Sequence, residues 1–295
     1  MESIKRGFGF FKQAWAMAFK DRDLLKPTIY ALVVGFIVSL IGLVPIVGVA
    51  LLFGDTQIGN ILTFTLGMVL VFVQYTISYL FASMTIHMIY GHLAEGDRRM
   101  DQAWSIVRRD FLDILSLAAA STGVKLIENV VRGKNRSGGR NILANLINTV
   151  WTEATYLVLP AMVIEDIGLR DGLKRATQIV KENLLLVGVS TVGVGFVTGV
   201  IGFLLSAAGL ALGFGVGFGL FTLLNASTLG IVLGIGLGGS IALVFILLAV
   251  LIGSYTATAY HTCLYLWARD VERSQASGAV GEVAAPAPLA SVLNA

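Results

Sequence analysis

One segment of this chain places uncharged hydrogen-bonding side chains at helical spacing, with a carboxylate among them. Residues three and four positions apart share one face of a helix, and amides and hydroxyls on such a face can line a water-filled path. A glutamate inside a membrane segment points to solute or ion passage. The simpler interpretation, which we favour at this stage, is that these groups hydrogen-bond across helices or face water. The candidate residues are Asn141, Asn145, Asn148, Thr152, Glu153 and Thr155.

Two further polar lines are predicted near the cytoplasmic ends of two long apolar helices. If these lines meet in the folded protein, each hydrogen bond between them contributes about 0.6–2 kcal/mol. We favour this structural role over a proton relay through His87, His92 and His261. The lines are Gln74, Ser78, Thr85 and His92 in one helix, and Ser254, Thr258, His261 and Tyr265 in the other.

The sequence contains no residue pattern that would hold a metal or perform covalent catalysis. Its three histidines and single cysteine are scattered, and neither a His-x-x-x-His nor a paired-cysteine motif occurs. Nucleophile elbows and Walker loops are also absent. Gly234-x-Gly236-x-x-Gly239 matches the dinucleotide fingerprint in letters, but no strand is predicted before it and no acidic residue follows at the required distance. We therefore predict no catalytic residue, no metal site and no cofactor, and we favour a non-enzymatic function.

The elements that position these residues are predicted from an absence of charge. From Asn183 to Ala268 the sequence contains no Asp, Glu, Lys or Arg, and 56% of the whole chain is hydrophobic. The mean hydropathy is +0.82. A charge at the centre of a bilayer costs about 2.5–3.5 kcal/mol, so membrane-spanning segments contain few charged residues. The sequence therefore predicts a polytopic integral membrane protein.

The basic residues predict the orientation of the chain in the membrane. None of the 21 lysines and arginines lies in Gly54–Asn60 or Asn225–Thr228, the two turns between apolar segments. Every basic residue can then lie on one side, which the positive-inside rule assigns to the cytoplasm. We therefore expect a multi-pass protein of the inner or plasma membrane with both termini in the cytoplasm.

The predicted fold class is all-α: a polytopic transmembrane helical bundle with amphipathic interfacial helices and a long, glycine-rich helical hairpin. Four principal spans are expected. Residues 111–131 and 141–164 are interpreted as interfacial helices, as re-entrant helices or as helices packed against the bundle, because the loop between them carries four positive charges and no negative one. Two further true spans remain an alternative. The predicted segments are an amphipathic helix (1–26), a transmembrane hairpin (27–93), cytoplasmic-side amphipathic or re-entrant helices (97–183), a glycine-rich transmembrane hairpin (184–268) and a flexible C-terminal tail (269–295).

Three segments combine an apolar stripe with a basic face, which is typical of helices lying in the membrane interface. They begin near Ile4, Met100 and Leu169, and their cations can contact anionic lipid headgroups. Each can also be a simple elbow that steers the chain into the next apolar segment. The predicted interfacial anchors are Phe8, Phe11, Trp15 and Trp104.

Six glycines recur every fourth residue on either side of the second turn. Small residues at this spacing form one edge of a helix and let two backbones approach closely. We expect a tight hairpin, and we expect a homo-oligomer because the apolar segments are longer than one membrane crossing. The predicted packing residues are Gly209, Gly213 and Gly217 before the turn and Gly230, Gly234 and Gly238 after it.

One stretch resembles a known pattern. Trp151-x-x-x-Thr155-x-x-x-x-Pro160-x-x-x-x-Glu165 runs into Leu169-x-x-Gly172-Leu-Lys-Arg-Ala176. This resembles an uncharacterised family of prokaryotic polytopic membrane proteins, and more loosely the membrane region attached to some glycerophosphodiester phosphodiesterases. The resemblance implies a membrane fold in which a Trp–Pro–Glu helix leads into a basic elbow helix. It implies no activity, because the family has none agreed and no phosphodiesterase domain is present.

The leading functional hypothesis from the sequence is an oligomeric membrane component that organises lipids or partner proteins. The alternative is a channel or transporter for a small solute or ion, with the face around Glu153 as its path. A membrane-embedded lipid-modifying enzyme is third. Membrane lipids and a second copy of the chain are the expected partners, the C-terminal tail can bind another protein, and no nucleic acid is expected.

Overall fold

The computed structural model describes residues 2–54, 56–95, 100–132, 138–182, 184–225, 227–277 and 283–293, and these contain helices and turns but no strand. The predicted all-α fold class is confirmed. A short 3₁₀ turn (Arg22–Leu25) precedes the second helix, and a π-helical turn (Gly91–Glu95) follows the third. The helices are α1 (Glu2–Lys20), α2 (Lys26–Phe53), α3 (Gln57–Tyr90), α4 (Met100–Arg109), α5 (Phe111–Arg132), α6 (Gly138–Glu165), α7 (Leu169–Glu182), α8 (Leu184–Leu223), α9 (Thr228–Ala276) and α10 (Ala287–Leu293).

Among the described residues, six helical segments are long and apolar enough to cross a membrane. This finding agrees with a membrane protein, and it rests on length and composition. The four-span topology stays a prediction, with α5 and α6 as the two additional candidates. The six segments are Arg22–Phe53, Gln57–Ala94, Phe111–Arg132, Ile142–Glu165, Gly193–Leu223 and Thr228–Ala276.

Helices α2 and α3 form a long hairpin that is joined by several polar contacts, including those of Gln74 within its apolar length. The Gln74 side-chain amide donates to the Gly35 carbonyl oxygen at 2.9 Å and to the Ser39 hydroxyl at 2.8 Å. The turn contains Gly54 at φ +50°, and the Thr56 hydroxyl caps α3. A carboxamide that donates both its hydrogens in this way leaves neither N–H without a partner in the apolar region.

Helices α8 and α9 form the predicted glycine-rich hairpin. A methyl group at Gly213 or Gly238 would collide with the carbonyl oxygen of the other residue, and Gly217 and Gly234 oppose each other in the same way. The remaining two glycines of the predicted set meet other partners. Gly209 faces Phe245 and Ala242, and Gly230 lies against the end of α8 at Leu220 and Phe221.

Helix α1 packs beneath this hairpin, against the first part of α8 and the last part of α9. Its buried residues are Phe10, Ala14, Met17 and Ala18, whereas Phe8 is 57% exposed. A methyl group at Gly7 would collide with the backbone of Gly193, so the two helices touch at glycines. The packed face is therefore rotated from the predicted Phe8–Phe11–Trp15 stripe, because close backbone approach selects the small residues.

Two of the predicted interfacial anchors have specific partners in the fold. The Trp15 indole N–H donates to the Thr256 hydroxyl at 3.1 Å, so this side chain connects α1 to α9. Trp104 is 43% exposed, and the Arg108 guanidinium lies 5.3 Å from its ring centroid. Helix α4 ends at Arg109, and only Asp110 separates it from the start of α5 at Phe111.

The C-terminal region differs from the predicted flexible tail. Helix α9 continues to Ala276, and α10 packs mainly on α1. Leu289 is fully buried. The reason is hydrophobic: a leucine that finds an apolar site contributes about 1.5–3 kcal/mol on burial, which offsets the entropy of ordering a short helix. Residues 278–282 and 294–295 of the predicted tail lie outside the described residues.

Candidate functional site

A cavity of about 170 Å³ lies where α3, α6 and α9 meet. It collects hydroxyl groups from all three polar lines that the sequence analysis singled out. The predicted meeting of polar groups from different helices therefore includes α6 as well as α3 and α9. The hydroxyl residues that line the cavity are Ser78, Thr152, Thr155, Ser254 and Thr258.

Aromatic side chains form much of the remaining wall of this cavity. Tyr75 and Tyr79 stack with their ring centroids 5.7 Å apart. Trp151 and Tyr156 line the same cavity from α6. Because aromatic rings offer flat apolar faces with polar edges, the cavity combines hydrogen-bonding groups with surfaces on which a planar molecule can stack.

Ser121 of α5 holds two of these aromatic residues in place. Its hydroxyl accepts the Trp151 indole N–H at 2.9 Å and lies 2.7 Å from the Tyr79 hydroxyl. Ser121 is 1% exposed. One buried hydroxyl thus links α3, α5 and α6 immediately beside the cavity.

Replacing Ser121 with alanine should destabilise the protein by about 1–2 kcal/mol, because the Trp151 N–H would lose its partner in a buried site. Ser116→Ala on the same helix is the control, since Ser116 is exposed and its hydroxyl donates only to the Leu112 carbonyl. Thermal unfolding in detergent measures both variants. Equal midpoints for the two would show that Ser121 is not the link between these helices.

Glu153 and His261 form a hydrogen-bonded pair beside the aromatic wall. Their Oε2 and Nε2 atoms are 3.3 Å apart, and the His261 ring stacks on Tyr156 at 4.5 Å. The other ring nitrogen, Nδ1, lies 2.7 Å from the Ala257 carbonyl oxygen. A carbonyl only accepts, so Nδ1 carries a hydrogen. The contact with Glu153 then needs a second proton, either on Nε2 or on the carboxyl group.

The structure divides the predicted polar face of α6 into two parts. Thr155 is buried at the cavity, whereas Asn145 and Asn148 are exposed on the outside of the bundle. The Asn145 side-chain oxygen accepts from the Arg132 guanidinium at 3.1 Å. The side chain of Asn141 lies outside the described part of the molecule. Asn145 and Asn148 are therefore not among the residues that line this cavity with Thr155.

Ion pairs join α7 to the C-terminal ends of α6 and α9. Arg175 donates to Glu272 through two nitrogens, at 2.8 and 2.5 Å, and to Glu165 at 3.2 Å. These contacts, chiefly the one with Glu272, raise the pKa of Arg175. Arg109 contacts Asp110 and Asp166, and the hydrogen bonds that its guanidinium donates to Asp110 raise the pKa of Arg109. These ion pairs connect the ends of neighbouring helices, and none of their residues lines the cavity.

A metal centre would need several ligands close together. Within the residues that the structure describes, no group of three or more His, Cys, Asp or Glu side chains could hold a metal ion. Cys263 is buried and forms no disulfide. The chemistry that the cavity offers is therefore hydrogen bonding and stacking.

A family model matches residues 61–275, which is well over half of the chain. The chain belongs to the family of unknown function DUF6159. The prediction of an uncharacterised family is confirmed by this match. All residues that line the 170 Å³ cavity lie in the DUF6159 region, whereas α1, α2 and α10 lie outside it. No curated protein and no solved structure matches the chain.

A second cavity of about 270 Å³ adjoins the first in this DUF6159 protein. It is a crevice between the two long hairpins, bounded by α2, α3 and α9. Ser78 and Ser254 line both spaces. The remaining lining of the crevice is largely apolar, with Leu32, Phe36 and Leu247 among its residues.

The aromatic residues that line the cavity were not predicted from the sequence. Tyr75 and Tyr79 are four residues apart on α3, and Trp151 precedes Tyr156 by five on α6. Spacing alone could have placed the two tyrosines on one helix face. Ser121 carried no signal, because a single serine in an apolar helix does not reveal which neighbours it will contact.

Proposed function

We propose that this DUF6159 protein is a membrane carrier that binds a small solute in the cavity between α3, α6 and α9. The observation that carries the proposal is the convergence of five serine and threonine residues from three different helices on one cavity. Buried hydroxyls in membrane proteins usually bond to their own helix or to a neighbour. Grouped around a cavity, they can also bind a solute that enters it.

Pro160 supports a binding role for the same cavity. It lies within α6 and lines the cavity. Proline has no N–H group, so the carbonyl of Tyr156 loses its helical donor. Inside a membrane such a carbonyl needs another partner, and a solute in the cavity can supply it. Interrupted helices at a binding site are a recurrent feature of transporters.

The lengths of the hairpins support four full spans. Residues 122–132 of α5 follow the Ser121–Tyr79 contact, whereas residues 57–78 of α3 precede it. At about 1.5 Å per residue these segments reach about 17 Å and about 33 Å. The α5–α6 hairpin is therefore too short to end level with the α2–α3 turn. We propose that it enters the membrane from the cytoplasmic side and returns, with both termini of the chain in the cytoplasm.

A second candidate function is an oligomeric component that organises lipids or other proteins in a prokaryotic inner membrane. A groove of about 510 Å³ follows the outer side of the α8–α9 hairpin, between glycines and the rings of Phe214, Phe218 and Phe221. A helix from a second copy would fit such a groove. Against this, α1 covers the first part of α8, so the excess apolar length that suggested an oligomer is partly covered within one chain. We associate the looser resemblance of the sequence to the membrane regions of some glycerophosphodiester phosphodiesterases with this second proposal.

Filling the cavity should abolish solute binding. We expect Ala82→Phe, which places a ring in the cavity, to remove any solute-induced rise in unfolding temperature. Ala208→Phe is the matched control, because Ala208 is exposed on α8. The protein in lipid nanodiscs would be tested with glycerol, 4-hydroxybenzyl alcohol, 4-hydroxybenzoate and choline. A solute at about 100 times its Kd stabilises the folded state by about 2.7 kcal/mol.

A solute that stabilises the wild type and Ala208→Phe but not Ala82→Phe would support the site. Its uptake into proteoliposomes, again lost only in Ala82→Phe, would support carriage. The proposal fails if none of the four probes stabilises the wild type, or if Ala82→Phe responds like its control. A stable oligomer of constant size in mild detergent, together with no solute response, would favour the second candidate.

A further inference from the structure

The cavity has an open end and a closed end. Ser78 and Ser254 are exposed, whereas Thr155 and Thr258 are 7% exposed. The two serines stand on α3 and α9, on either side of the opening into the crevice. The opening therefore lies between the two long hairpins, on a side of the bundle that hydrocarbon covers if these hairpins cross the membrane.

We infer that the cavity takes an uncharged, ring-sized amphiphile that enters sideways from the bilayer, between Ser78 and Ser254. This inference rests on the proposed function and names the class of molecule that the site accepts. The crevice leading to the opening is lined mostly by apolar side chains, including Leu32, Leu247 and Leu251. An apolar tail can lie there while a polar ring occupies the cavity.

The charge of the molecule follows from the lining residues. Among the residues that the structure describes, none that lines the cavity or the crevice carries a formal charge. An ion moved into such a site loses its hydration and gains no partner of opposite charge, which costs several kcal/mol. Glu153 and His261 pair with each other and are not among the lining residues. A neutral molecule has no such cost.

The size and polarity of the molecule follow from the cavity itself. Sites for drug-sized ligands occupy about 300–1,000 Å³, so about 170 Å³ suits a single ring. The stacked pair of Tyr75 and Tyr79 and the rings of Trp151 and Tyr156 offer flat faces to it. Threonine and serine hydroxyls can both donate and accept, so ring substituents such as a carbonyl or a hydroxyl find partners.

Photolabelling in proteoliposomes tests this inference. The probe is 4-hydroxybenzophenone at mildly acidic pH, where its phenol is uncharged. Its hydroxyphenyl ring matches the cavity, its second ring can lie in the apolar crevice, and its carbonyl bonds to nearby C–H groups on irradiation. The charged analogue 4-benzoylbenzenesulfonate is the comparison. Peptide mass spectrometry would then locate the label. We expect the neutral probe to label residues 75–86 and 151–160, and the sulfonate to leave both segments unlabelled.

A variant with a bulky side chain at the opening between Ser78 and Ser254 tests the route of entry. Ser254→Phe should remove most of the label from both segments, while Ser240→Phe, at an exposed serine on the same helix, should retain it. Elution on gel filtration checks that both variants fold. Labelling by the sulfonate, or labelling by the neutral probe that Ser254→Phe leaves unchanged, would overturn the inference. If a charged solute such as choline stabilises the protein in an Ala82-dependent way, the carrier proposal stands and the uncharged class is wrong.

Discussion

Replacing Gly238 with alanine should lower the unfolding temperature of the detergent-purified protein, whereas replacing Gly236 with alanine should not. Both glycines lie in the same part of α9. A Cβ atom at Gly238 would collide with the backbone of α8 at Gly213 and Gly217, and a Cβ atom at Gly236 would meet nothing within 4 Å. The two substitutions are the same in chemistry and differ only in which side of the helix they change.

The two substitutions should change the unfolding temperature in opposite directions, because helix propensity and overpacking contribute free energies of opposite sign. Alanine favours a helix over glycine by about 0.5–1 kcal/mol, and both variants gain this. Overpacking typically costs about 1–3 kcal/mol, and only Gly238→Ala incurs it. The atom that a methyl group meets there is a backbone carbonyl oxygen, which cannot rotate away like a side chain. Separation of α8 from α9 is the expected way for the structure to relax.

The same comparison can be made on the other helix. Gly213→Ala should behave like Gly238→Ala, and Gly215→Ala like Gly236→Ala, since a Cβ atom at Gly215 also meets nothing within 4 Å. Unfolding followed by tryptophan fluorescence in one detergent measures all four variants. If all four midpoints rose or fell together, helix propensity would govern the hairpin and the close glycine contact would be refuted.

The glycine hairpin shows how far the sequence could predict this fold. The spacing of four and the polar turn at Asn225 place Gly213 and Gly217 opposite Gly234 and Gly238, as the structure does. The same spacing does not reveal that Gly209 faces Phe245. That contact depends on how the two helices cross, and a crossing angle is set by all the side chains in the interface.

Helix α1 shows why burial was harder to predict than helicity. Its period of apolar residues indicates a helix, but both Phe8 and Phe10 lie on apolar sides. The structure buries Phe10 and leaves Phe8 exposed. Lipid removes the usual penalty for an exposed phenylalanine, so hydrophobicity does not distinguish the face that packs on protein from the face that lies against lipid.

The cavity could be predicted only as separate lines of polar residues. Each line was visible because Ser, Thr and Asn are uncommon in apolar helices. Which parts of the lines meet depends on the tertiary positions of α3, α6 and α9, and no sequence signal separates Thr155 from Asn148. The structure separates them because the first half of α6 lies on the outside of the bundle, where Ile142 is 69% exposed.

Replacing Arg175 with methionine should destabilise the protein by about 2 kcal/mol or more. Arg175 connects α7 to Glu165 at the end of α6 and to Glu272 near the end of α9, and its side chain is only 17% exposed. Methionine retains the apolar contacts of the stem and removes five N–H donors. Two carboxylates, each 23% exposed, would then lie near each other without a cation, and hydrogen bonds to charged groups are worth about 1.5–3 kcal/mol each.

Lys174→Met on the same helix provides the matched control. Lys174 contacts Asp171 at 2.8 Å, but both side chains are 65% exposed, and water replaces such a contact with little loss. Arg175→Lys should fall between the two, because lysine keeps the charge but cannot donate to both oxygens of Glu272 in the planar arrangement of a guanidinium. If thermal unfolding placed Arg175→Met beside Lys174→Met, the network would be a surface feature. The order Lys174→Met, Arg175→Lys, Arg175→Met, from most to least stable, would show that the Arg175 side chain contributes to holding α6, α7 and α9 together.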